Sequence, residues 1–121
     1  MFLLFLVFVS VSHGQIGRTV DKDSIIQLQT EAKKLTSQRK FNEALSNTQR
    51  ALKYAELIEN DSLVAESYHF LGIIYIQMRR EGLAPENYNK AISYYKKQRN
   101  DKRLMQIYNA IGYNLLSLIH I

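Results

Sequence analysis

The sequence predicts an all-α chain of antiparallel helix hairpins, and three observations carry that expectation. The 121 residues repeat on themselves every 40 positions: Asp21, Asp61 and Asp101 align, as do Leu28, Tyr68 and Tyr108, Ala32, Gly72 and Gly112, and Leu35, Tyr75 and Leu115. Apolar residues inside each unit recur with the spacing of one helical face. No β-branched alternation of any length occurs. A register kept through two shifts marks an internal repeat, which takes precedence over any element-by-element reading of the fold.

The first segment stands apart. MFLLFLVFVSV is almost wholly apolar but too short to cross a bilayer core of roughly 30 Å as a helix. It ends in Ser12-His13-Gly14, whose small residues suit signal peptidase, with Gln15 as the mature start. No Lys or Arg precedes the apolar run, which leaves a buried first helix as the other reading. Residues 1–14 are therefore read as a signal peptide and 15–20 as a linker. The mature chain is expected outside the cytoplasm, at the periplasmic or extracellular face. It has no cysteine, so its stability there must come from packing.

The helices follow in order, with expected spans of 22–38, 41–58, 62–79, 84–98 and 101–118. In unit one (21–60), Phe41, Ala44, Leu45, Thr48, Ala51, Leu52 and Ala55 line one face of its second helix. In unit two (61–100), Val64, Tyr68, Leu71, Gly72 and Tyr75 share a face of the first helix. Asn60-Asp61 and Asn100-Asp101 precede helices and can accept hydrogen bonds from the orphan N–H groups there. Gly72 and Gly112 fall mid-helix, where Gly is about 1 kcal/mol less favourable than Ala, so a close neighbouring helix is expected at each. Tyr68, Leu71, Gly72, Tyr75, Ala91 and Ile92 are the expected core of unit two. Pro85 fits only a first helical turn, which starts the following helix near Leu83–Ala84 and leaves the packing role of Ala84 open.

The positions Tyr68, Leu71-Gly72, Tyr75, Ala84, Tyr88 and Ala91-Ile92 resemble the tetratricopeptide repeat family. Its first helix carries a large residue, Leu-Gly and Tyr, and its second carries Ala, an aromatic and Ala. Unit one matches with Leu28, Ala32, Leu35, Phe41, Ala44 and Ala51-Leu52, and the partial unit three (101–115) with Tyr108, Ile111-Gly112 and Leu115. The resemblance covers 21–115 and implies an α-solenoid of two and a half repeats. The period of 40 departs from the family's usual figure of about 34 and resembles the long-repeat variant of bacterial signalling proteins. Glu31 stands where Leu71 and Ile111 stand, as suits an outer capping repeat, and Thr48 replaces an aromatic, so unit one is expected to pack less tightly.

Leu116–Ile121, LSLIHI, coincides with the translation of a transposase mosaic-end adapter, CTG TCT CTT ATA CAC ATC. A natural apolar helix end is the other reading. On the first, the natural protein continues past Leu115, and Ile107, Tyr108, Ile111 and Leu115, extended by Leu118, are expected to form an uncovered apolar stripe through which the fragment aggregates or self-associates.

Little chemistry is legible. Of three histidines, His13 lies in the leader and His120 in the adapter-like tail, leaving His69 alone, which is not a metal site. No nucleophile–base set, phosphate loop or paired-carboxylate cleft appears. Neither enzymatic activity nor a cofactor or metal is expected. The net charge of +5 is carried by pairs such as Arg79-Arg80 and Lys96-Lys97 at solvent-side positions and helix ends, not by one basic face, so nucleic-acid binding is not expected. Membrane association is expected only through a downstream segment.

Function is then expected on a surface. The resemblance implies that first helices line a concave groove for an extended peptide or partner helix. By register the groove would present Gln29, Lys33 and Ser37 from unit one, His69, Ile73 and Gln77 from unit two, and Asn109 and Tyr113 from unit three. Family members that clamp a C-terminal carboxylate use Lys and Asn there; Lys33 is matched by Ile73 and Tyr113, so no such clamp is expected. Two functions remain: a non-catalytic protein-interaction scaffold, or the sensory segment of a larger signal-transduction protein such as a membrane histidine kinase or helix-turn-helix regulator.

Overall fold

The structure is a computed structural model that describes residues 20–119, with side chains described as far as Gly112. The expected leader at 1–14, most of the linker, and the side chains of the adapter-like tail lie outside the described residues. Among the described residues five α-helices follow one another: α1 Lys22–Ser37, α2 Phe41–Leu57, α3 Asp61–Gln77, α4 Ala84–Lys97 and α5 Asp101–Ile119, with a 3-10 turn at Glu81–Leu83 before α4. The described residues contain no strand, and no described helix is long and apolar enough to cross a membrane.

First helices start on side-chain caps. The Asp21 carboxylate accepts from Ser24 N–H at 2.8 Å, Asn60 Oδ1 from Leu63 N–H at 3.1 Å, and Asn100 Oδ1 from Arg103 N–H at 3.2 Å. Each satisfies one donor that the helix itself leaves unpaired. Second helices lack a side-chain cap; α4 carries Pro85 in its first turn, where a missing N–H is harmless.

Helix ends follow one rule four times over. Arg39, Glu59, Arg79 and Arg99 have φ of 62°, 54°, 62° and 52°, the left-handed region. After each, the next N–H reaches back to a carbonyl five residues earlier: Lys40 to Leu35 at 2.9 Å, Asn60 to Ala55 at 3.0 Å, Arg80 to Tyr75 at 2.8 Å and Asn100 to Tyr95 at 2.9 Å. These are Schellman closures. They recur every 20 residues (39, 59, 79, 99), so the backbone unit is one helix plus one turn, half of the sequence repeat.

Neighbouring helices run antiparallel. Ile25 of α1 packs with Ala51 and Ala55 of α2, while Leu35 packs with Ala44. The α2–α3 seam pairs Ala55 with Leu63 and Val64, and Ala44 with Ile74. In the α3–α4 pair, a Cβ placed on Gly72 would lie 2.6 Å from Tyr88 Cε1. The glycine is what lets the buried Tyr88 ring lie against the α3 backbone. Ala84 is buried beside it, which settles its packing role.

Three expectations shift. Tyr68 and Tyr75 are half-buried rather than core. Tyr68 lies at a three-helix edge: its ring stacks on Tyr94 with centroids 6.3 Å apart, its hydroxyl donates to Glu56 Oε1 at 3.3 Å, and Lys90 Nζ sits 5.2 Å over its ring. Ile107 is fully buried in the α4 cluster and Ile111 packs against it, so both belong to a seam and not to an exposed stripe; Tyr108 is exposed. The close neighbour expected at Gly112 is not found among the described residues, where a Cβ would meet nothing within 4 Å. Thr48 is fully buried, its hydroxyl donating to the Ala44 carbonyl at 2.8 Å.

Candidate partner-binding groove

Polar side chains link the first helices α1, α3 and α5. Gln29 Nε2 donates to the Leu63 carbonyl at 3.1 Å and to Ser67 Oγ at 3.0 Å, joining α1 to α3. Arg103 Nη2 lies 2.8 Å from Glu66 Oε1, joining α5 to α3. Tyr95 of α4 donates its hydroxyl proton to the same Glu66 oxygen at 3.3 Å, and His69 Nδ1 lies 3.4 Å from the Tyr95 oxygen. With that proton committed to Glu66, His69 completes the chain as a donor, which places its proton on Nδ1. Arg103 Nη1 also donates to Gln106 Oε1 at 3.0 Å.

Burial sets the charge state of this network. His69 is only 9% exposed, with the rings of Tyr88 and Tyr95 edge-on to it at 6.0 Å each. Loss of solvent pushes its pKa down; Arg103 and Lys33 push the same way and Glu66 opposes them. The Tyr95 hydroxyl is pushed up, first by burial and then by Glu66. The pair therefore stays neutral at physiological pH and acts as a hydrogen-bonded strut against a carboxylate whose other partner is Arg103.

No protein-family model, curated protein or solved structure matches this chain. The site is accordingly defined by its own geometry.

The residues expected in the groove divide into two sets. Lys33 and Ser37 of α1, Gln77 of α3 and Asn109 of α5 are exposed. Gln29 is half-buried and bonded to α3, His69 is buried in the network, and Ile73 is half-buried against the unit-two cluster. The Ser37 hydroxyl donates to the Lys34 carbonyl at 2.6 Å. The side chain of Tyr113 lies outside the described residues. Gln29 and His69 thus serve packing between helices, while Lys33, Gln77 and Asn109 remain as the polar groups facing water.

The Glu66–Arg103 pair was not legible in the sequence. In the 40-residue register Glu66 corresponds to Gln106 and Arg103 to Leu63. The pair thus joins positions that the repeat treats as unrelated, and no periodic signal points to it. Among the described residues no group of three or more His, Cys, Asp or Glu side chains could hold a metal ion.

Proposed function

We propose that the chain is a non-catalytic protein-interaction module of the tetratricopeptide type, binding an extended peptide or a partner helix along α1, α3 and α5. The observation that carries this reading is the lateral tie between first helices: Gln29 to Leu63 and Ser67, and Arg103 to Glu66. These bonds link three non-consecutive helices and leave Lys33, Gln77 and Asn109 exposed on them. The Gly72–Tyr88 approach further supports the family reading, because it uses the small and aromatic positions that the repeat pattern singles out. The leader-like residues 1–14 favour an exported setting.

A peptide-display selection against the immobilised chain tests the proposal. Selected peptides should lose about threefold to tenfold in affinity with Lys33→Glu or Gln77→Ala, consistent with partly exposed contacts. Arg50→Glu, on the exposed surface of α2, should leave them unchanged. Peptides that ignore the groove variants but respond to Arg50→Glu would refute it.

A further inference from the structure

The Glu66 carboxylate serves three helices at once. On α3 it stands one turn before His69, near enough for the two side chains to meet. From α4 it accepts the Tyr95 hydroxyl proton at 3.3 Å, and from α5 it holds Arg103 at 2.8 Å. His69 is buried beside this point, with Nδ1 3.4 Å from the Tyr95 oxygen. The charged and titratable groups that face His69 are Glu66 on its own helix, Lys33 of α1, Tyr88 and Tyr95 of α4, and Arg103 of α5. With His69 neutral, the carboxylate answers Arg103. With His69 charged, three cations share one carboxylate.

We propose that this junction is an acid-sensitive latch on α5: a second proton on His69 draws the Glu66 carboxylate away from Arg103 and releases α5 from α3, while α1 to α4 stay folded. The proton enters at Nε2, because Nδ1 already carries one toward Tyr95. A buried imidazolium needs a counter-charge, and Glu66 reaches it by turning its own side chain within one helix. Arg103 then keeps its 3.0 Å bond to Gln106 on α5 and loses its hold on α3. Burial, Arg103 and Lys33 all disfavour the charged imidazole, so the latch stays shut at neutral pH. Opening lets His69 have Glu66 to itself, so acid favours the open form. Among the described helices α5 has the thinnest seam, Leu104, Ile107 and Ile111 on the α4 cluster, whereas α2 is packed by α1 and α3. The latch needs no partner to operate, so it stands or falls independently of the surface proposed for partner binding.

Amide exchange of the 121-residue chain tests the latch, expressed as protection factors so that the intrinsic effect of pH on exchange drops out. Between pH 7.5 and 5.5, protection across 104–111 should fall by about threefold to tenfold relative to α2. One proton linked to opening gives about tenfold per pH unit below the ordinary histidine value of 6.5. His69→Gln cannot titrate and should abolish the fall. Arg103→Gln, at a partly exposed position, removes the tie without disturbing the core. It should lower protection of α5 at both pH values and leave little for acid to remove. Four outcomes overturn the proposal. Protection of α5 may not change with pH, so that a charged His69 is tolerated in the closed form. The fall may be as large in α2, which is unfolding of the whole array. It may survive in His69→Gln, which assigns the titration to another group. It may keep its full size in Arg103→Gln, which separates it from the exchange of Glu66 partners.

Discussion

Gly72 and Gly112 occupy one repeat position with opposite surroundings, so the same substitution should act with opposite sign. Gly72→Ala drives a methyl group into the ring of Tyr88, which is buried and cannot swing away. Overpacking of about 1–3 kcal/mol should outweigh the gain of up to about 1 kcal/mol in helix propensity. Gly112→Ala meets no neighbour among the described residues and should stabilise by up to about 1 kcal/mol. Urea melts of the two variants measure both. Leu71, nearly fully buried, should lose about 2–4 kcal/mol on truncation to Ala by the same measurement. His69 adds a pH dependence. Its folded pKa lies below the ordinary value of 6.5, so the unfolded chain binds its proton first as pH falls. Its contribution is full above that ordinary value and is lost as pH drops toward the folded pKa. Melting temperature should therefore fall between pH 7.5 and 5.5, and His69→Gln should flatten that slope; an unchanged slope would place the titration elsewhere. The packing glycine was readable because it breaks helix propensity at a repeated position. The Glu66–Tyr95–His69 chain was not, because its members share no spacing rule.

At the scale of the element, the four left-handed residues govern where helices stop. A non-glycine residue in this conformation carries strain of about 1–2 kcal/mol that Gly escapes. Arg79→Gly should therefore stabilise the α3 end by a few tenths to about 1 kcal/mol, while Arg79→Val should destabilise by a comparable amount, both read from thermal melts. The sequence reading ran the ends of the first four helices one or two residues too far. The usual signal for a Schellman closure is glycine, and Arg39, Glu59, Arg79 and Arg99 gave none. Helix starts were better legible, since Asn60 and Asn100 carry their capping oxygens in plain view and Pro85 fixes the start of α4. The surface proposed for partner binding was half-legible. Register placed Lys33, Gln77 and Asn109 at the surface, but Gln29 and His69 turn out to hold the helices together.

Across the whole molecule, stability passes between neighbouring helices, and α5 rests on a single described seam built around Ile107. The Glu66–Arg103 pair is partly exposed, so its contribution is modest, but it is the described polar tie from α3 to α5. Glu66→Gln should raise amide exchange in α5 first and leave α1 and α2 close to wild type; uniform loss of protection would mean that the helices unfold as one unit. The central claim is that α1, α3 and α5 together form the partner-binding surface. Backbone chemical-shift mapping with a display-selected peptide tests it most directly. The account predicts shifts concentrated at Lys33, Gln77 and Asn109 and at Gln29 and His69. Shifts concentrated instead on the outer surfaces of α2 and α4, around Arg50 and Lys97, would contradict it.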